Sequence, residues 1–224
     1  MTQNLTKDAE QRISGATIRL LEQQPFFGTL LLNARVKLSN TPTACTDGQQ
    51  IEVGWQYALE ISSNSLVALL AHEVLHIGLN HVQRRGIRDW KLWNIACDAA
   101  VNAILSLAGF ELPTGAILMP EYSDLSAEEI YNRLLQEIDA HSHTIQGVFP
   151  SDDLGLQAPN LSPAQWESDA HSWANTINHA ASLVKADQYG KYPAWLKRII
   201  DYSQPQVNWR NVLAQYLTQT RDDY

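Results

Sequence analysis

The chain has 224 residues, of which 45% are hydrophobic and 18% charged, and its formal net charge is −8. These values are typical of a globular protein with a buried core, and they exclude disorder of the whole chain. Because nucleic-acid-binding proteins usually carry a basic patch, the acidic balance argues against a nucleic-acid partner.

The first third of the chain predicts one helix followed by a small sheet. Apolar positions at helical spacing predict a helix over residues 7–24, which Pro25 ends. The apolar run of residues 26–32 and the alternating residues 34–38 predict one or two strands. Residues 51–53, which follow a turn signal, predict another short strand.

The middle of the chain predicts three helices. Residues 65–81 have apolar positions at helical spacing, and so do residues from about 93 to 108, after which Gly109 is a natural C′ residue. Ser126 and Glu129 have the spacing of a capping box and predict the start of a third helix. The chemistry described below lies on the first two of these helices.

The last third predicts a loop and then further helices. Residues 141–160 mix glycine, proline, serine and aspartate with little periodicity, which is typical of a long surface loop or linker. Ser162 and Pro163 predict the start of a helix that reaches about residue 186, with proline in the first helical position. Pro193 and Asn208 predict the starts of two shorter helices.

Cysteine content and apolar runs indicate the compartment. Cys45 and Cys97 are too few to make a disulfide framework in a chain of this size. The polar residues 1–12 have no signal-peptide core, and no apolar run approaches the length that spans a bilayer. We therefore expect a cytoplasmic protein without a membrane partner.

The first helix of the middle region carries the motif His72-Glu73-Val74-Leu75-His76. Its two histidines lie about 40° apart on one helical face, so their rings can share one tetrahedral ion. Glu73 is too offset to bind the ion, but it can reach a bound water whose pKa zinc lowers towards neutrality. This HExxH pattern predicts a zinc site with His72 and His76 as ligands and Glu73 as general base. The alternative is a pair of core histidines whose ring nitrogens are satisfied by hydrogen bonds.

The second helix carries a polar stripe in an otherwise apolar sequence. Asn94, Asp98 and Asn102 are spaced four residues apart and fall on one face. That face either meets solvent or turns Asp98 towards the metal, with Asn94 and Asn102 bracing the site from outside the ligand set. We favour the second interpretation, because a solvent face normally carries lysine or glutamate.

Taken together, the HExxH motif and the segment from Trp93 to Asp98 resemble bacterial metallopeptidase domains that precede a von Willebrand factor A-like domain. The resemblance covers most of the chain and includes several further short motifs: Pro25-Phe26-Phe27-Gly28, Thr46-Asp47-Gly48, His81, Arg85, Leu112-Pro113 and the six residues from Ser126 to Tyr131. It implies a zincin-like fold with a zinc site. It also implies that such a protein continues past Tyr224 into a further domain.

Two residues compete to be the third metal ligand. His81 lies nine positions after His72, half a turn away on an unbroken helix, so it can ligate only if the chain leaves the helix at Gly78. The stretch then looks like the metzincin pattern HExxHxxGxxH, but it is one residue short between His76 and the glycine. Asp98 on the next helix resembles the gluzincin arrangement. We favour Asp98, with His81 outside the ligand set or capping the helix end.

We therefore expect an α+β protein with three parts. Residues 1–138 form a zincin-like metallopeptidase domain, in which a small N-terminal β-sheet precedes the HExxH helix and a ligand helix. Residues 139–161 form a linker, and residues 162–224 form a helical segment that ends before a further domain. The predicted function is zinc-dependent hydrolysis of a peptide or amide bond in a peptide or protein substrate. The alternatives are a non-catalytic adaptor stabilised by the metal and an interaction module that presents the helical segment to a protein partner.

Overall fold

The fold is described by a computed structural model that covers residues 2–141, 161–184 and 192–203. It is α+β and mostly helical, with one three-stranded sheet among these residues. The elements in chain order are α1 (Thr2–Gln23), α2 (Pro25–Asn33), β1 (Arg35–Ser39), β2 (Ala44–Thr46), β3 (Gln50–Gly54), α3 (Trp55–Glu60), α4 (Ser63–Gly78), α5 (His81–Arg84), α6 (Trp90–Leu107), a 3-10 turn (Pro120–Tyr122), α7 (Ala127–His141), α8 (Pro163–Ser182) and α9 (Ala194–Ser203).

The sheet has the strand order β1-β3-β2, so β3 is central. β1 pairs with β3 in parallel, with Val36 opposite Ile51, and β2 pairs with β3 in antiparallel, with Cys45 opposite Glu52. The strands predicted at residues 34–38 and 51–53 are thereby confirmed. The short β2 had no signal in the sequence, because three residues are too few to establish an alternation.

The prediction of a strand at residues 26–32 is wrong, because this segment is helix α2. Pro25 occupies its first turn, where the fixed φ of proline suits a helix and its missing N–H costs nothing. Most side chains of the apolar run are buried in the core. An apolar run this short does not distinguish a strand from a buried helix. Gly28 allows α2 to approach α1 closely, since a Cβ built there would lie 2.6 Å from the Cα of Leu21.

Helices α4 and α6 carry the predicted chemistry, and their ends are well defined. Ser62 caps α4 by accepting a hydrogen bond from the backbone N–H of Ser65 at 3.0 Å. The helix ends at Gly78, three residues before the predicted end, because the chain reverses through Asn80 with a φ of 57°. α6 ends at Leu107, and Gly109 follows with a φ of 84°, as its predicted C′ role requires.

The three later helices pack on this framework. The predicted capping box of α7 is confirmed, because Glu129 accepts from the backbone N–H of Ser126 at 2.8 Å. Ser162 and Gln165 form a second capping box at the start of α8. Ile177 of α8 and Leu196 of α9 belong to the same buried cluster as the apolar faces of α1, α2 and α4. The predicted loop beyond His141 and the predicted helix at Asn208 lie outside the described residues, and the division into domains stays a prediction.

Candidate metal centre

Three side chains of α4 and α6 meet in the interior. The Nε2 atoms of His72 and His76 lie 2.9 Å apart, and Oδ1 of Asp98 lies 3.4 Å and 3.2 Å from them, respectively. The spacing of four residues puts the two imidazoles on one face of α4, and the packing of α6 against α4 brings the carboxylate beside both of them. Among the described residues, these three form the group that could hold a metal ion.

The separations between these donor atoms fit a small divalent cation. A zinc ion bound at 2.0 to 2.1 Å in tetrahedral geometry places its ligand atoms about 3.3 Å apart, and the observed separations lie close to that value. Two imidazole nitrogens and a carboxylate oxygen are also donors that zinc accepts. The residues present therefore suit the metal, by donor type and by spacing.

Asn102 fixes the tautomer of His72. Its amide nitrogen donates to the backbone carbonyl of Ile117 at 2.9 Å, so its amide oxygen faces the Nδ1 of His72, also at 2.9 Å. That oxygen can only accept, so the Nδ1 of His72 carries a proton and donates it. The lone pair of a neutral His72 then lies on Nε2, the atom that faces Asp98. Asn102, one of the two predicted bracing residues, thus contacts a candidate ligand directly.

His81 lies on the other side of His76. Its Nδ1 is 3.1 Å from the Nδ1 of His76, whereas the Nε2 of His76 faces Asp98. The chain reversal at Asn80 turns the ring of His81 to this position, which is 1% exposed. The structure therefore brings Asp98, and not His81, to the nitrogen atoms that His72 and His76 direct at each other.

The second predicted bracing residue, Asn94, differs from Asn102. It is half-buried, and no hydrogen bond joins its side chain to the site within the part of the chain that the structure describes. It lies one turn before Asp98 on α6, further from the contact with the histidines. Two residues of the polar stripe, Asp98 and Asn102, thus contact the histidines, whereas no hydrogen bond joins Asn94 to them within the described residues.

Glu73 is buried next to this group, with 6% of its surface exposed. Burial raises the pKa of its carboxyl to about 7; the charge of His72 opposes that rise and the charge of Asp98 adds to it. No hydrogen bond or ion pair from a described residue reaches this carboxyl group. A carboxyl group with a pKa near neutrality is suited to accept and release a proton at physiological pH.

The negative charge of Asp98 attracts positive charge to the group. Burial alone would raise the pKa of Asp98, but hydrogen bonds with His72 and His76 outweigh it and hold the pKa at about 2. Burial likewise lowers the pKa of His72, but the hydrogen bond and charge of Asp98 raise it above its ordinary value. Burial and the charge of His72 lower the pKa of His76. An ionised carboxylate beside two ring nitrogens is the environment in which a cation is stabilised.

Two contacts near the site had no signal in the sequence. The indole Nε1 of Trp93 donates to the backbone carbonyl of His81 at 2.8 Å, although the pattern of α6 indicates only a core residue at this position. Strand β2 packs on α4, where burial, followed by the charge of Glu73, raises the pKa of the Cys45 thiol to about 11. Each contact joins two different elements, and such contacts are not revealed by periodicity within one element.

Comparison with known proteins gives the family. Residues 8–224 match the family described as "Putative metallopeptidase domain". The chain belongs to this family. It is also similar to a Thermotoga maritima protein named "Uncharacterized protein", with 29% identity over 154 residues that cover 58% of this chain and 39% of the relative. The chain thus spans well under half of that relative's length.

Solved structures and a search for membrane spans give no further positive match. No solved structure matches the chain significantly. A search for bilayer-spanning segments finds, in the described part of the chain, no helix with the required length and apolar character. The chain belongs to a metallopeptidase family and has a group of residues that could hold a metal ion. Both findings suggest a metal-dependent peptidase.

Proposed function

We propose that this protein is a zinc-dependent peptidase of the HExxH type with a zincin-like core, in which His72, His76 and Asp98 hold the metal and Glu73 is the general base. The observation that carries the proposal is the convergence of two imidazole nitrogens and one carboxylate oxygen within 2.9 to 3.4 Å of one another. The buried carboxyl of Glu73 lies beside them, and its pKa of about 7 suits the general base that the reaction also needs.

Each residue has a distinct part in the proposed reaction. A zinc ion held by the three ligands would supply Lewis acidity, polarising the scissile carbonyl and making water more acidic. Glu73 takes a proton from the attacking water while the water oxygen forms a bond to the carbonyl carbon. When the carbon–nitrogen bond breaks, the protonated Glu73 returns that proton to the leaving amine. The base is thereby regenerated and the proton is accounted for.

The choice of zinc follows from the donors. Imidazole nitrogen is a borderline ligand that suits zinc and other transition metals, whereas magnesium and calcium prefer all-oxygen sites. Three protein ligands are the usual number for a catalytic zinc, because the fourth position is then open to water and substrate. The His72 side chain is 16% exposed, against 3% for His76 and 8% for Asp98, so access from solvent is expected on the His72 side.

A non-catalytic, metal-stabilised module is the second candidate, and a specific observation favours it. The group is largely buried, with His76 2%, Asp98 5% and Glu73 6% exposed, which is also typical of a structural metal site. The two candidates differ at Glu73. A structural site needs the two histidines and the aspartate, but it has no use for a buried base beside them.

The experiment compares the zinc-loaded wild type, the same protein after chelation, and zinc-loaded Glu73→Gln on a mixture of synthetic peptides of varied sequence. Mass spectrometry then identifies new peptide termini. We expect cleavage by the loaded wild type only, with Glu73→Gln retaining its zinc. Equal cleavage by Glu73→Gln and wild type would contradict the role of Glu73. No cleavage by any of the three, with zinc bound in wild type and Glu73→Gln, would favour the structural module.

A further inference from the structure

Helix α6 contacts the three histidines of the site, of which His76 and His81 are buried, through three different residues. Asp98 lies against the Nε2 atoms of His72 and His76, and Asn102 accepts from the Nδ1 of His72. Trp93, one turn further towards the start of the helix, donates its indole N–H to the backbone carbonyl of His81 at 2.8 Å. Helix α6 therefore contacts the candidate ligands His72 and His76, and also His81, which lies beside His76.

The position of His81 depends on a short and irregular stretch of chain. α4 has ended at Gly78, Asn80 has a φ of 57°, and α5 begins at His81 and is only four residues long. A helix of this length has little stability of its own. The hydrogen bond from Trp93 joins the first residue of α5 to α6, and the rings of Trp93 and His81 meet edge to face with centroids 6.2 Å apart.

Trp93 is itself firmly held. It is fully buried, and the guanidinium of Arg88 lies 4.9 Å from the centre of its ring. The same guanidinium lies 5.7 Å from the ring of Tyr131 on α7, and the Tyr131 hydroxyl accepts from the backbone N–H of Asp89 at 3.1 Å. A cation between two aromatic rings and a hydrogen bond across the helix start restrict the motion of the indole. Its N–H is therefore a fixed point to which His81 is attached.

The position of His81 affects the candidate metal ligand His76, because the Nδ1 atoms of the two rings face each other. An imidazole that offers its Nε2 lone pair to a cation carries its proton on Nδ1, and the group facing that Nδ1 at 3.1 Å is the Nδ1 of His81. His81 must then accept this hydrogen bond and carry its own proton on Nε2. We propose that Trp93 is a positioning residue of the metal centre, which holds His81 as the acceptor that orients His76. This inference rests on the proposed function for the assignment of His76 as a ligand.

The test compares Trp93→Phe, which keeps an aromatic ring and removes the N–H, with Trp195→Phe as the matched control. The ring of Trp195 packs against Phe26 and Phe27, and among the described residues no ring contact joins it to the histidines. Zinc affinity is measured by competition with a chelating dye. We expect Trp93→Phe to lose roughly 10- to 100-fold in affinity, the usual effect of removing support for a metal ligand, and Trp195→Phe to bind as the wild type does. Wild-type affinity in Trp93→Phe, or equal losses in both variants, would overturn the proposal.

A spectroscopic measurement separates this inference from the proposed function. In metal-free protein with 15N-labelled histidine, the ring nitrogens of His76 and His81 report the hydrogen bond between them without any metal. Trp93→Phe should shift these resonances, and Trp195→Phe should leave them in place; unshifted resonances in Trp93→Phe overturn the inference even if zinc binds. If the wild type binds no zinc but the resonances shift as expected, the proposed function fails and the positioning of His81 stands.

A second pair of variants tests the acceptor itself and does not depend on the folding of Trp93→Phe. The side-chain oxygen of asparagine can occupy the position of an imidazole Nδ1, so His81→Asn keeps an acceptor near His76, whereas His81→Leu has none. We expect His81→Asn to retain zinc affinity within a few-fold and His81→Leu to show the roughly 10- to 100-fold loss. Equal affinities of the two variants would contradict an accepting role for His81.

Discussion

Replacement of Glu73 by glutamine should stabilise the metal-free protein at alkaline pH. The carboxyl group is 6% exposed, and burial raises its pKa from 4.5 to about 7. Ionisation of Glu73 is therefore easier in the unfolded chain than in the folded one. Glutamine has nearly the same shape and stays neutral at every pH, so the variant avoids the cost of burying a charge.

The pKa difference sets the size and the pH range of the effect. A group whose pKa is raised on folding contributes its full stability below the pKa of the unfolded chain, and this contribution is lost as the pH rises through the folded pKa. The window for Glu73 extends from 4.5 to about 7. Each pH unit across it corresponds to about 1.4 kcal/mol, so glutamine should gain up to about 3 kcal/mol relative to the wild type above pH 7.

The assay is urea unfolding of wild type and Glu73→Gln at pH 4.5 and pH 8.5 in the presence of a chelator. The exposed Glu22 of α1 provides the control, since Glu22→Gln removes the same charge at the surface. The free energy of unfolding of Glu73→Gln should exceed that of the wild type at pH 8.5 and approach it at pH 4.5. A variant that is equally stable or less stable than the wild type at pH 8.5 would refute the reasoning.

Three further predictions concern the third metal ligand, the contact between α1 and α2 at Gly28, and the reactivity of Cys45. Asp98→Ala should reduce zinc affinity more than His81→Ala in side-by-side competition titrations, because Asp98 lies beside the Nε2 atoms; a larger loss in the His81 variant, with both proteins folded, argues against Asp98. Gly28→Ala should lower the free energy of unfolding by roughly 1 to 3 kcal/mol, because the new Cβ would lie 2.6 Å from the Cα of Leu21; an unchanged melting temperature is the adverse result. Cys45, with a pKa raised to about 11, should react with a thiol reagent at pH 7.5 far more slowly than free cysteine does, and a rate equal to that of free cysteine would contradict its surroundings.

The sequence predicted the elements of the site because each depends on the periodicity of one helix. His72 and His76 share a face because α4 is unbroken from Ser63 to Gly78. Asp98 could be singled out because it is a carboxylate in an almost wholly apolar stretch of α6. In the structure this residue is buried, with 5% of its surface exposed. Both inferences needed only helical spacing and the cost of burying a polar group.

The contacts between elements could not be predicted in the same way. The position of His81 follows from the left-handed conformation of one residue, Asn80, and a change of one backbone dihedral there would direct the ring elsewhere. The hydrogen bond from Trp93 to the carbonyl of His81 depends on that same reversal. Helix α2 was predicted as a strand because a short apolar run buries equally well in either conformation, and packing against α1 decided between them.

Metal content is the measurement that tests the central claim most directly. Wild type and His72→Ala are purified in parallel, equilibrated with zinc, dialysed against metal-free buffer and analysed for bound metal by mass spectrometry. The geometry of His72, His76 and Asp98 predicts about one zinc ion per wild-type chain and little or none in a folded His72→Ala. Full zinc content in His72→Ala would contradict the proposed metal centre and the peptidase mechanism that depends on it.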